Sequence, residues 1–81
     1  MTPADLRHIV QFLALPEGTK FVAVSADGEA WAYEEQPKIH PHWDDEVTGL
    51  WYAAKHAVHE VVFRAKPQSN WRELCISVEG E

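Results

Sequence analysis

Apolar residues along this chain fall into two kinds of spacing. Near the amino end Leu6, Ile9, Val10 and Leu13 recur at helical intervals while Arg7, His8 and Gln11 take the other side, which predicts an amphipathic helix over residues 3–14. Its start is marked as well: Thr2 is a capping residue, Pro3 suits the first helical position, and Asp5 lies favourably against the positive end of the peptide dipoles. Pro16, Glu17 and Gly18 close it. From Phe21 the period changes to two. Phe21, Ala23 and Ser25 alternate with Val22 and Val24, Asp27-Gly28 supplies a turn, and Ala30, Trp31, Ala32 and Tyr33 carry an aromatic return strand. Asp-Gly between strand-forming runs signals a hairpin, because glycine accepts the positive φ that a tight turn needs. A helix this short is marginal alone, so Leu6, Ile9 and Leu13 are expected to lie on the inward face of the hairpin.

The second half is less regular. Residues 34–42 contain Pro37, Pro41 and several polar side chains, and read as a loop. Asp44 and Asp45 are placed to cap a second helix around residues 45–57, where Val47, Leu50, Trp51, Ala54 and Val58 keep near-helical spacing across Gly49. Residues 59–64, with Val61, Val62 and Phe63, suit a strand through their β-branched and aromatic content, although a continuing helix would also group the valines; the strand is favoured. Lys66-Pro67-Gln68-Ser69 forms a turn, and Asn70-Trp71-Arg72-Glu73 has the form of a capping box opening one helical turn. Leu74, Ile76 and Val78 then alternate with Cys75 and Ser77 as a short strand at the sheet edge. The expected fold is α+β: an N-terminal helix packed on a small antiparallel sheet of three to four strands, with a second helix, in one domain spanning residues 1–81.

Composition narrows the function classes. The chain of 81 residues supports one thin core, and 46% hydrophobic with 25% charged residues is an ordinary globular balance. Cys75 is the single cysteine, so an internal disulfide is excluded, and with no leader-like or membrane-length apolar run the expected location is the cytoplasm. Thirteen acidic against seven basic residues give a net charge of −6, which repels nucleic-acid phosphates and attracts basic protein surfaces.

Residues with catalytic or metal-binding chemistry are few. His40, His42, His56 and His59 are of metal-ligand type, with Asp44, Asp45 or Cys75 available to complete a tetrahedral set, but their spacing is not that of a zinc motif. His56 and His59 share a face only on a helix; on a strand they part. Cys75 with His56 or His59 would be a nucleophile and its base, yet Cys75 lies in an alternating apolar stretch where a small packing residue is the ordinary role. The pairs Glu34-Glu35 and Asp44-Asp45 do acid–base work only inside a cleft. Phosphate-cradling glycine loops and nucleophile elbows are lacking, so neither an enzyme nor a cofactor is expected.

Binding features stand out more. Within residues 29–46 lie Glu29, Glu34, Glu35, Asp44, Asp45 and Glu46 against Lys38 alone, a local net of −5. This is either a solvated face that confers solubility or a surface for a basic partner, whose association complementary charge would speed. Four tryptophans are many for so small a core; Trp31 and Trp71 are assigned to packing, while Trp43 and Trp51 are candidates for partly exposed interface anchors or for closing the core. A twofold homodimer would also bury leftover apolar surface.

The Asp27-Gly28 turn followed by Trp31-Ala32-Tyr33 and Pro37, spelling DGxxWAYxxxP, with Trp43 and a closing Trp71-Arg72-Glu73-Leu74, resembles small acidic proteins encoded by tailed bacteriophages and prophages. The resemblance implies a bacterial host cytoplasm and, because such proteins often bind and inhibit host machinery, a host protein as partner; it brings no catalytic residues. The expected function is a non-enzymatic protein that modulates a host protein with a basic surface through Glu34, Glu35, Trp43, Asp44, Asp45, Glu46 and Trp51. The alternatives are a homodimeric structural module without external partner and a histidine-based metal-binding protein.

Overall fold

The computed structural model describes residues 1–39 and 51–78. Helix α1 spans Pro3–Val10 and begins with a reciprocal cap: the Thr2 hydroxyl accepts the Asp5 N–H (3.1 Å) and the Asp5 carboxylate accepts the Thr2 N–H (2.9 Å). That bond from the Thr2 backbone, followed by the Thr2 side chain, holds the Asp5 carboxyl below its ordinary value of 3.8. The helix stops short of the expected residue 14. Phe12 and Leu13 donate to Ile9 and Val10 in tighter three-residue bonds, which turn the following side chains away from the helical stripe. Leu6 is fully buried and Val10 and Leu15 pack on the same core, whereas Ile9 and Leu13 are only half-buried and Phe12 is 76% exposed. The stripe of Leu6, Ile9 and Leu13 is thus corrected to Leu6, Val10 and Leu15.

Four antiparallel strands follow in the spatial order β5-β2-β1-β6: β1 Phe21–Val24, β2 Glu29–Tyr33, β5 Val58–Arg64 and β6 Cys75–Ser77. Val22 and Val24 of β1 face Ala32 and Ala30 of β2, and Val22 faces Ile76 of β6, so one sheet surface is a field of small and branched residues on which Leu6 and Leu74 pack. The opposite surface carries Ala23, Trp31, Tyr33 and Cys75, and it too is covered: Ala23 and Tyr33 are buried. Part of that cover is the chain just after β2, since Pro37 is buried and the Gln36 amide donates to Cys75 Sγ (3.3 Å).

Three expectations for the second half change. Lys38–Ile39 (β3) pairs with Trp51–Tyr52 (β4) as a separate two-stranded ribbon within the expected loop and helix. Residues 51–57 of the expected second helix form β4 and a single 3-10 turn, Lys55–Ala57; the rest of that element lies outside the described residues. Ladder partners from Ile39 and, at Val58, from Tyr33 satisfy the backbone here, and they override a helical spacing that is shared by Trp51, Ala54 and Val58. The capping box at Asn70 does not form: its side chain donates to the Met1 carbonyl instead, and Trp71–Glu73 is a 3-10 turn without a side-chain cap. The strand reading of residues 59–64 holds, and β6 is the short edge strand expected.

The hairpin turn over residues 25–28 is closed by Gly28 N–H to Ser25 O and Ser25 N–H to Glu29 O (both 2.9 Å), with the Asp27 carboxylate accepting the Glu29 N–H (3.0 Å). Gly28 has φ +92, and a β-carbon on it would lie 2.2 Å from the Ala65 carbonyl oxygen. Gly18 also has a positive φ, +89, but the nearest atom to a β-carbon there is Glu34 Cδ at 3.6 Å. The two glycines therefore separate backbone strain from close approach. Gly18→Ala is expected to cost about 1 kcal/mol and Gly28→Ala about 3 kcal/mol or more, a loss of roughly 12 °C in Tm for the latter. Urea and thermal denaturation giving equal losses for the two variants would contradict the packing of the turn on residues 65–66.

Candidate functional site

The acidic pair Glu34-Glu35 stands directly after β2, where the backbone is held on both sides. Tyr33 O accepts from Lys20 N–H (2.9 Å) and Glu34 N–H donates to Ala57 O (2.7 Å), so the chain cannot swing at the strand end. The register that sets Tyr33 opposite Val58 brings the two carboxylates against the end of β5 and the 3-10 turn before it. Glu34 Oε2 lies 3.2 Å from His59 Nε2, and Glu35 Oε1 lies 3.7 Å from His56 Nε2. His59 Nε2 is buried and makes no hydrogen bond, so its contact with Glu34 is one of proximity without alignment. The Glu34 and Glu35 side chains remain 44% and 55% exposed, and pairs this open to water are worth little to stability. Both carboxylates face solvent at one fixed corner.

The remaining predicted site residues separate. Trp43, Asp44, Asp45 and Glu46 lie outside the described residues, as do His40 and His42. Trp51 is tied into the fold. Its indole N–H donates to Val24 O (3.0 Å) and its ring meets Trp71 edge to face at 6.1 Å. The reason lies in β6. Val24 N–H bonds to Leu74 O (2.8 Å), but the return bond is missing because Leu74 N–H is drawn into the 3-10 turn toward Trp71 O (3.0 Å). Trp51 supplies the donor that the sheet lost, which no pattern in the sequence announces. Its polar edge is therefore not available to a partner.

The histidines do not assemble a metal centre in the part of the chain seen. His56 lies in the 3-10 turn and His59 in β5, each against a different carboxylate, and among the described residues no group of three or more His, Cys, Asp and Glu comes together. Cys75 is separated from them by the whole sheet, since β6 and β5 are opposite edges about 14 Å apart at the usual strand spacing. Burial pushes the Cys75 thiol up to about 11, with the Gln36 hydrogen bond opposing, and burial followed by the nearby Cys75 pushes the Tyr33 phenol up to about 12. A thiol so protonated is a poor nucleophile.

One surface feature had no sequence signal. A groove of about 430 Å³ runs beside the hairpin turn, lined by Ala26, Pro67, Gln68, Ser69, Trp71 and Arg72, and the Arg72 guanidinium lies 4.7 Å from the centre of the Trp71 ring. It exists because Gln68 N–H docks on Ala26 O (2.9 Å), a contact between segments far apart in the chain. Compared with models of protein families, with curated proteins and with solved structures, the chain matches none.

Two measurements check this arrangement. Trp51→Phe keeps the ring contact and removes the hydrogen bond to Val24, so a loss of about 1 kcal/mol is expected in urea unfolding; an unchanged midpoint would detach Trp51 from the sheet. Cys75 and Tyr33 hold their protons to about 11 and about 12 in the folded chain, against 9.0 and 10.0 ordinarily. The unfolded chain thus releases protons first, so stability is full below about pH 9 and falls as pH rises toward 12. The double variant Cys75→Ala/Tyr33→Phe should flatten that alkaline loss, and an identical profile in the variant would refute its origin in these groups.

Proposed function

We propose that this protein is a non-enzymatic binding domain of phage or prophage type, which acts in a bacterial host cytoplasm by docking on a basic surface of a host protein and inhibiting it. The observation that carries the reading is the acidic corner: Glu34 and Glu35 are exposed on a backbone pinned by Ala57 and Lys20, at the head of the segment that holds most of the chain's excess negative charge. Charges on a fixed backbone steer a partner without first having to be ordered, which favours fast and selective association. Trp43, Asp44, Asp45 and Glu46 extend the same acidic run in sequence and are proposed as the rest of the contact, with Trp43 as its apolar anchor. Among the described residues no helix is long and apolar enough to cross a membrane.

The test uses the immobilised full chain and a bacterial lysate at two salt concentrations. A basic host protein is expected to be retained at about 50 mM salt and released near 0.5 M, because exposed charge pairs are screened within a few ångströms there. Reversing the corner with Glu34→Lys/Glu35→Lys, or removing the anchor with Trp43→Ala, should each weaken retention about tenfold or more. Capture that ignores both salt and charge reversal would refute the reading, as would a purified captured protein whose activity the chain leaves unchanged.

A further inference from the structure

Asp27-Gly28 is the one place in the chain where aspartate precedes glycine, and the pair carries a chemistry of its own besides its turn geometry. A peptide nitrogen can attack the side-chain carboxyl of the residue before it, and glycine, without a β-carbon, hinders that approach least. The lone pair of Gly28 N forms the bond to Asp27 Cγ, the amide proton and the carboxyl hydroxyl leave as water, and a cyclic imide results. Water then reopens the ring. Cleaving the new bond restores aspartate, whereas cleaving the original peptide bond leaves an isoaspartyl link, in which the chain runs through the Asp27 β-carbon. The native turn holds each reacting group elsewhere. Gly28 N–H donates to Ser25 O (2.9 Å) and the Asp27 carboxylate accepts the Glu29 N–H (3.0 Å), so nucleophile and electrophile are bonded to different neighbours. The peptide between them has no room to turn: Gly28 is buried, its carbonyl accepts the Ala65 N–H (2.9 Å), and the Ala65 and Lys66 carbonyl oxygens crowd its α-carbon. Asp27 itself is exposed, so geometry rather than exclusion of water blocks the reaction.

We infer that Asp27-Gly28 is a spontaneous modification site gated by folding: it stays intact while the turn is closed, converts to isoaspartate when residues 25–29 open, and in that form cannot rebuild the turn. The loss of the turn follows from the same contacts that protect it. The isoaspartyl link adds a backbone atom between the Asp27 α-carbon and Gly28 N, and the carboxyl group that met the Glu29 N–H becomes the new peptide carbonyl. Ser25 N–H bonds to Glu29 O (2.9 Å) across the turn and Gly28 is wedged against residues 65–66, so the extra atom has no place without displacing one or the other. Either displacement shifts the register that sets Val24 opposite Ala30. The inference stands independently of the proposed binding role.

The test incubates the full chain near neutral pH and physiological temperature, folded in buffer and unfolded in guanidinium chloride, with circular dichroism to establish both states. Isoaspartate is detected by methylation with an isoaspartyl methyltransferase and located by peptide mapping. At residue 27 it should accumulate at least about tenfold more slowly in the folded chain, because reaction of an opened segment follows the population of the open form. Asp27→Ser, whose hydroxyl can also accept the Glu29 N–H, should fold and give no signal at residue 27 in either state. After removal of denaturant the aspartyl fraction should regain the parent Tm, and the isoaspartyl fraction should refold with a Tm at least about 10 °C lower or not at all. Equal rates of conversion in the two states overturn the inference. So does a signal that survives Asp27→Ser undiminished, whose source would lie elsewhere, and so does an isoaspartyl fraction that refolds with the parent Tm.

Discussion

Gly28 sits where three segments of the chain meet, and its lack of a side chain lets them do so. Its φ of +92 completes the turn between β1 and β2, and its N–H and C=O bond to Ser25 and to Ala65. The space a β-carbon would take is filled by the carbonyl oxygens of Ala65 and Lys66. One residue later in the register Val24 faces Ala30, so the turn that Gly28 permits decides which side chains of both strands reach the helix. The next bond along, Gln68 N–H to Ala26 O, carries the chain toward Trp71. Hairpin register, the exit from β5 and the approach to the last turn are thus fixed by contacts within a few ångströms of one backbone position.

A second constraint follows from the rule that buried backbone groups find partners. The 3-10 turn at Trp71–Glu73 takes the Leu74 N–H, which leaves the Val24 carbonyl without its strand partner, and the Trp51 indole fills the gap. This bond pins β4 to the end of β1 and sets Trp51 against Trp71. It also gives Trp51 a role beyond filling volume, as a hydrogen-bond donor on a large apolar body. Val24, with its side chain in the core and both peptide groups bonded to different elements, is the point through which the two layers are coupled.

The elements legible in the sequence are those whose cause is local. The Thr2 cap and the Asp-Gly hairpin are specified by side chains within a few residues of the backbone groups they satisfy, and both form as the pattern predicts. Asn70 carries a similar local signal and fails, because the Met1 carbonyl offers its amide a tertiary acceptor that no local pattern reveals. The helical spacing of Trp51, Ala54 and Val58 misleads for the same reason, since Trp51 pairs with Ile39 and Val58 with Tyr33, while the Ala54 carbonyl takes the Ala57 N–H in a 3-10 turn. At the candidate site, Glu34 and Glu35 are evident from charge density alone. That His59 and His56 stand against them depends on the bulged register between β2 and β5, which spacing does not encode.

The histidines bear on what the acidic corner can do. The Glu34 and Glu35 carboxylates are about half open to water, so their field extends outward from the corner. The contact with His59 limits where the Glu34 carboxylate can swing, because His59 is itself held in β5 and Glu34 packs above Gly18 on the other side. Charge strength and charge position are therefore set by different parts of the fold: exposure maintains the first, and the β2–β5 pairing with the α1–β1 loop determines the second. The proposed association with a basic surface would then require no large ordering of the acidic groups, and side-chain ordering is among the costs that most weaken polar interfaces.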